Sequence, residues 1–312
     1  MALVGFEKVL ALYVRHRDRL PPVPPAVEPR PVRSLSEAVA DFDVILLDGW
    51  GVLHSGGEAL PGTLEAVRAL GAAAVPVHVL SNDATAPKTA QLAAYRRRGF
   101  PFTSATIIAT EELLGPVLAD HPPETVWGVI APPSWDTVHL GIAWTRLDRD
   151  ADLDRVDAFL FLATFGWEER EHRRLVAALA ARPRPVVVTN PDVAAPREDG
   201  AFSTPPGYFA YRLAEETAVT PQFLGKPYPE VFRHALARHP RVPAERVLMV
   251  GDSLHTDVLG ARAAGLRALL VTDTGFFRGR DWRRTCRETG IWPDLVAGTL
   301  GPTPRGRLGR RV

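Results

Sequence analysis

The 312-residue chain has a single cysteine, Cys286, so a disulfide within it is excluded, and no His/Cys grouping has the spacing of a zinc site. Lysine is nearly as scarce: of 37 Lys and Arg residues, only Lys8, Lys88 and Lys226 are lysines. The net charge is only +1, too small for a polyanion-gathering field, and no nucleic-acid partner is expected. No segment is long and apolar enough to span a membrane. Met1 to Leu20 carries charges throughout, unlike a signal peptide. The expectation is a soluble, unprocessed protein in a reducing cytoplasm. Internal repeats and low-complexity arrays are also missing.

What is present is enough apolar sequence, 46% of residues, for two cores at a length beyond the usual single-core range. Apolar runs of strand length at Val44 to Leu47, Val77 to Leu80 and Val247 to Val250 alternate with helical patterns at Glu65 to Leu70, Thr89 to Arg98 and Pro229 to His239. Further strands are predicted at Val126 to Ile130, Ala158 to Leu162 and Val186 to Val188, with a helix across Glu168 to Ala181. Repeated βα units favour parallel sheets covered by helices, hence an α/β fold. Leu3 to Arg17 has helical periodicity, with Phe6, Val9, Leu10 and Tyr13 on one face, followed by a stiff Pro-rich piece from Pro21 to Pro31. A loosely packed arm is expected there, with docking on the core or on a partner subunit as the alternative. Residues 301–312, with Gly and four arginines, are expected as a flexible basic tail.

Four segments carry chemistry. Val44-Ile-Leu-Leu47 runs straight into Asp48 and a glycine-containing turn, presenting an acid where open α/β sheets place ligands; an Asp that merely caps a turn gives the same pattern. Val77-His-Val-Leu80 ends in Ser81-Asn82, which suits phosphoryl oxygens and equally suits a turn. Gly225-Lys226-Pro227 keeps one of the few lysines, which suggests a need for a compact ammonium, although chance retention is the plainer reading. Val247-Leu-Met-Val-Gly251 leads to Asp252 and, five residues on, Asp257, a pair suited to a hard oxygen-seeking cation such as Mg2+.

In this order the four segments resemble the haloacid-dehalogenase superfamily of aspartate-nucleophile hydrolases. Val188-Thr-Asn190-Pro-Asp192, Gly200 and Glu216-Thr217 through Gly225-Lys226-Pro227 are similar to its NagD-like subclass IIA. The opening Asp48-Gly-Trp50-Gly-Val-Leu-His54 resembles a branch of that subclass with Trp two residues after the nucleophile. The resemblance covers about residues 35 to 300. It implies a Rossmann-like parallel-sheet core at 35–83 plus 222–300, an inserted α/β cap at 84–221, and residues 1–34 as a separate arm and linker.

The resemblance further implies that Asp48 attacks phosphorus to form an aspartyl phosphate. Mg2+ would be held by Asp48, the Trp50 carbonyl and Asp252, with Asp257 ordering metal waters or Lys226. Ser81 and Asn82 would bind phosphoryl oxygens, and Lys226 would neutralise transition-state charge. The expected activity is hydrolysis of a small organic phosphate; a homo-oligomer is left open. Where most superfamily phosphatases carry a second Asp as general acid and base, this chain has Trp50, and an indole can do neither. Hydrolysis of alkyl phosphates should then be slow, by about 10² to 10⁴-fold, unless another group substitutes. His54 and Asp83 are candidates, against the plainer readings of a loop histidine and a helix cap. Asn190 and Asp192 either face substrate or close a turn. Cleavage of a carbon-halogen or carbon-phosphorus bond, or weakly catalytic binding of a phosphometabolite, remain the alternatives; both Asp252 and Asp257 speak against a metal-free dehalogenase. A dinucleotide fingerprint is disfavoured because Gly49-Trp50-Gly51 lacks its third glycine, with His54 in that place. Trp135, Trp144 and Trp167 are expected in the cap's own core rather than at the substrate.

Overall fold

A computed structural model describes residues 3–135, 140–148, 150–197 and 199–301. Two parallel sheets dominate it. The larger has seven strands in the spatial order Arg30–Pro31, Leu295–Ala297, Arg267–Val271, Val247–Gly251, Val44–Leu47, Val77–Ser81 and Ile107–Ala109. Every neighbouring pair in it is parallel. Val44–Leu47 and Val247–Gly251 lie side by side at its centre, and each is buried along its whole length. Continuous aliphatic runs, not alternating ones, are what a strand covered on both faces requires. The strand order reverses at this central pair: the chain steps outward from Val44–Leu47 on one side and returns later on the other. Carboxyl ends of strands at such a reversal form a crevice. Asp48, Asp252 and the Ser81–Asn82 pair all sit at those ends.

The second sheet has five strands, in the order Gln222–Phe223, Val186–Val188, Ala158–Phe161, Val126–Ile130 and Ala143–Arg146, again all parallel. The strands expected at 126–130 and 186–188 fall on the same residues. Sheet membership crosses the expected domain edges, however. Ile107–Ala109 pairs with Val79–Ser81, so the chain stays with the larger sheet well past residue 84. Gln222–Phe223 pairs with Val187–Val188, so the return to that sheet comes after residue 222. Arg30–Pro31, assigned to the linker, forms the edge of the larger sheet. A short parallel strand is stabilised only beside a partner, and the partner's location decides its membership. On this basis we propose that the inserted unit runs from about 110 to 224.

The amino-terminal segment is not loosely packed. Leu3–Val4 pairs antiparallel with Phe202–Ser203, which also pairs with Ala195–Pro196. Helix Phe6–Arg15 then buries Val9, Leu10, Leu12 and Tyr13. Phe6 meets the rings of Phe276 and Phe277 at 5.4 and 6.0 Å between centroids, and Tyr13 stacks on His255 at 4.1 Å. On its other side His16 stacks on Tyr211 of helix Pro206–Glu216 at 4.9 Å. The apolar stripe expected of this helix therefore has its partner within the chain. Burying several aliphatic and aromatic side chains at about 1.5–3 kcal/mol each outweighs the ordering of a ten-residue helix far more easily than surface contacts would.

No helix among the described residues is long and apolar enough to cross a membrane. The expected basic tail, beyond Gly301, lies outside the described residues.

If the arm is docked as described, Leu10→Ala should cost about 2–5 kcal/mol in a urea unfolding titration, the range for a buried leucine. A change below about 0.5 kcal/mol, typical of exposed positions, would show the helix to be free in solution.

Candidate active site

Asp48 follows the central strand, its backbone N–H donating to the Val250 carbonyl at 2.9 Å, and its side chain is nearly buried. Lys226 is the cation that faces it. Its Nζ donates to Asp48 Oδ1 and to Asp257 Oδ1, both at 2.7 Å, and the side chain is only 2% exposed. Burial alone would push the Lys226 pKa down, but Asp257, Asp48 and Asp192 together hold it above its ordinary value. The ammonium is therefore a fixed positive charge. Asp48 is raised as well, but here burial is the cause: it lifts the pKa to about 6 against the lowering effect of Lys226.

Asp257 is held from both ends. Its Oδ1 takes the Lys226 ammonium, and its Oδ2 accepts the backbone N–H groups of Asp252 and Ser253 at 3.1 Å each. Asp252 Oδ2 accepts the Phe276 N–H at 2.8 Å. Glycine is required around this carboxylate. Gly51 and Gly275 both have positive φ, and a Cβ on either would collide with the Asp252 side chain. Asp48, Asp252 and Asp257 offer oxygens that all lie within 4.8 Å of one another. Burial and the Asp48 and Asp257 charges drive the Asp252 pKa well above its ordinary value, so a single ammonium leaves this acid cluster short of positive charge. An all-oxygen, hard-donor set with unbalanced negative charge fits Mg2+.

Asn82 does something other than expected. Its Nδ2 donates to the Lys226 carbonyl and to Asp192 Oδ1, each at 2.9 Å, and its Oδ1 accepts the Lys226 N–H at 2.8 Å. Both amide hydrogens are committed, so its side chain positions Lys226 and Asp192 and has no N–H to offer a phosphoryl oxygen. Ser81 lines the cleft, with its Oγ accepting the Asp83 N–H at 3.2 Å.

Trp50 also has a definite partner: its Nε1 donates to the Pro196 carbonyl at 2.7 Å, tying the loop after Asp48 to the hairpin of the inserted unit. His54 is buried, edge-on to Trp50 and Tyr95 at 5.5 Å from each, with its pKa lowered to about 4 by desolvation and Arg98; it does not line the cleft. Asp83 does line it, but its Oδ1 accepts the Thr85 N–H at 2.8 Å in a local turn. Asn190 Oδ1 accepts the Asp192 N–H at 3.0 Å, so Asn-Pro-Asp closes a turn and faces the cleft at once. Asp192 is half-buried, and desolvation lifts its pKa to about 7, partly offset by Lys226 and the Asn82 hydrogen bond. Trp135, Trp144 and Trp167 do not line the cleft.

Sequence reasoning missed Tyr13 as a site residue. Its ring lines the same cavity as Asp48, Asp192 and Lys226, and its hydroxyl accepts the Val193 N–H at 3.4 Å. Its place on an apolar helical face was legible, but not where that face docks. Phe165, an aromatic left 65% exposed, was missed as well and lies on the cleft wall.

Comparisons with known proteins agree with this architecture. Residues 45–139 match the haloacid dehalogenase-like hydrolase family, and residues 223–302 match the HAD-hydrolase-like family. Glycerol-3-phosphate phosphatase of Gallus gallus is 32% identical over 291 residues, covering 84% of this chain and 91% of that one. Among solved structures, a possible sugar phosphatase of Cytophaga hutchinsonii superposes with a TM-score of 0.75 at 23% identity, covering 89% of this chain and 99% of that one. The Mycobacterium tuberculosis glycerol phosphate phosphatase, solved in complex with magnesium, superposes at 0.64 with 23% identity, over 83% and 75% of the two chains. The chain belongs to the haloacid-dehalogenase-like hydrolases.

The Asp192 carboxyl has a stability consequence. Its native pKa, about 7, lies above the ordinary 3.8, so its contribution is complete below about pH 4 and is lost as pH rises through 7. Urea titrations of the parent and of Asp192→Asn should therefore diverge, with the variant gaining relative stability between pH 4 and pH 8. A pH-independent difference would show that the carboxyl titrates normally.

Proposed function

We propose that this protein is a Mg2+-dependent phosphatase that acts on a small phosphate ester through an aspartyl-phosphate intermediate. The single observation that carries the reading is the Lys226 ammonium shared between Asp48 and Asp257, with Asp252 in the same oxygen cluster. That arrangement places an anionic nucleophile beside a fixed cation in a desolvated crevice, as attack on an anionic phosphoryl group demands. The names of the relatives, phosphatases of glycerol and sugar phosphates, support the same reaction class.

Asp48, Asp252 and the Trp50 carbonyl would hold the metal, which when bound supplies Lewis-acid charge compensation. An Asp48 carboxylate oxygen forms the bond to phosphorus as the bond from phosphorus to the leaving oxygen breaks. Lys226 offsets the charge on the equatorial oxygens, while Asp257 and Asn82 keep Lys226 in place from its two ends. Water then attacks phosphorus, releasing inorganic phosphate and restoring Asp48. Ser81 is placed to donate to the phosphoryl group.

The proton for the leaving oxygen needs a source, since Trp50 has none. We assign it to Asp192, which faces the same cavity as Asp48 and, with its pKa lifted to about 7, is partly protonated near neutral pH; His54 is turned away and Asp83 is committed to its turn. The same carboxylate, once deprotonated, can take a proton from the attacking water.

A panel of phosphate esters with and without Mg2+, run beside a halide-release assay, tests the activity. Phosphate release that requires Mg2+ and falls roughly 10³-fold or more in Asp48→Asn is expected. Halide release, or full activity in that variant, would overturn the reading. Asp192→Asn should slow alkyl phosphates by about 10² to 10⁴-fold while sparing aryl phosphates, whose leaving groups depart without protonation. Equal losses on both classes would remove Asp192 from the acid role.

A further inference from the structure

Where the substrate's leaving group goes is written on the cleft that opens from Asp48 toward the inserted unit. This cavity, about 280 Å³, shares Asp48, Trp50 and Asp192 with the catalytic crevice, so a phosphoryl group at Asp48 has its ester substituent pointing into it. Its apolar walls are Trp50, Pro132, Ala163, Phe165, Pro205 and Pro206. Ser81, Asn82 and Asn190 lie at the end nearest Asp48, and the hydroxyls of Thr85, Thr164 and Ser203 dot the remaining surface, where Thr164 donates its hydrogen to the Thr204 carbonyl at 2.6 Å and Ser203 donates to the Ala195 carbonyl at 3.3 Å. Among the described residues, no Lys, Arg or His lines this cleft. Its acidic groups are Asp48, Asp83 and Asp192.

Two further observations point to an occupant. Phe165 is one of few large hydrophobic side chains left exposed among the described residues, at 65%, and it stands four residues past the end of strand Ala158–Phe161, at the cleft wall. Trp50, across the same space, is fixed by its bond to Pro196, so its ring is a preset surface. An exposed aromatic and a fixed indole on the walls of a mostly apolar cavity, with no cation among its described lining residues, are suited to a flat or branched hydrocarbon group.

We infer that the physiological substrates are phosphate monoesters whose leaving group is uncharged and apolar, with an aromatic or branched hydrocarbon portion, and not sugar phosphates, bisphosphates or carboxylate-bearing metabolites. A second anionic group would lie near Asp83 with no cation among the described residues of this cleft to meet it, and a polyol would exchange its hydration for a surface that is mostly hydrocarbon. This inference rests on the phosphatase reading and names the substrate class of that same site.

The test compares 3-phenylpropyl, 4-carboxybutyl and 5-aminopentyl phosphates, whose parent alcohols are matched in acidity, so that chemistry is equal and only the cleft discriminates. Glycerol 3-phosphate serves as the polyol arm. With the Mg2+-loaded full chain, kcat/KM for the phenylpropyl ester should exceed each of the others by on the order of 10²-fold. Phe165→Ala should shrink that ratio through KM, and Phe165→Arg should shift preference toward the carboxylate. Phe165 is exposed, so neither change threatens folding. Equal or better turnover of a charged or polyol ester, or a ratio indifferent to both variants, would overturn the proposal. Should no ester, including 4-nitrophenyl phosphate, be hydrolysed, the phosphatase reading itself fails. Calorimetry with phenylpropyl- and carboxybutylphosphonate then decides the cleft independently: tighter binding of the aromatic phosphonate upholds its selectivity, and equal or reversed affinity refutes it.

Discussion

The site depends on one buried ammonium. Asp48 and Asp257 reach the crevice from different segments of the chain, and Asp252 joins them within 4.8 Å; left alone, three desolvated acids at that spacing would repel or take up protons. Lys226 holds two of them, at 2.7 Å each, with almost no exposure to solvent. Burying an ammonium is costly, and its attraction to the carboxylates repays that cost only when the geometry is good and the remaining partners are in place. The raised pKa of Lys226 says which effect prevails. Removing the ammonium would leave acids unpaired, a change that typically costs about 3–5 kcal/mol, so this residue serves stability and chemistry together. The surroundings are arranged to keep it there: the Asn82 amide clamps both the N–H and the carbonyl of Lys226, and two backbone N–H groups fix the far oxygen of Asp257. Gly225 permits the clamp, because a Cβ at that position would strike the Asn82 amide.

Trp50 acquires a reason in the same network. The resemblance implies an aspartate at this position, and an indole there leaves the loop after Asp48 without that acid. The indole that replaces it bonds to Pro196, four residues beyond Asp192. Trp50 thus ties the loop after Asp48 to the segment that follows Asp192. Asn82 makes a second tie from the core strand end directly to the Asp192 carboxylate. Replacing the indole by an acid would cut the first of these ties as well as adding a proton donor, so the two effects of such a change oppose each other.

The strand ends were readable because burial on both faces leaves an unmistakable aliphatic run, and whatever polar residue ends the run must lie at the carboxyl edge of the sheet. Asp48, Ser81 and Asp252 were found that way, and motif order joined Lys226 to them. The resemblance to the superfamily, drawn from those motifs, agrees with the matching families. Several features left no such trace. Asn82 was read as a phosphate ligand because its amide has donors; that both donors are committed follows only from the approach of Lys226 and Asp192, residues more than a hundred positions away. Ile107–Ala109 and Gln222–Phe223 are too short to announce which sheet they join. Helix Phe6–Arg15 displayed its apolar face plainly, yet the partner surface is assembled from Tyr211, His255 and Phe276, which no local pattern connects.

That docked arm bears on how the cleft discriminates. Ala195 and Ser203 stand on one wall, and the paired strands that carry them are restrained from three directions. Trp50 bonds to Pro196, Leu3–Val4 pairs with Phe202–Ser203, and Arg280 donates to the Gly200 carbonyl at 2.9 Å while lying over the Phe6 and Phe202 rings at 5.0 Å. Only the first of these comes from the nucleophile's loop; the second belongs to the amino-terminal arm and the third to the loop after Arg267–Val271. A wall pinned to three separate segments is assembled before substrate arrives. Binding energy is then not consumed in ordering it, and selection falls to the static surface it presents. For a wall assembled in this way, the surface it presents weighs more in discrimination than any closing motion.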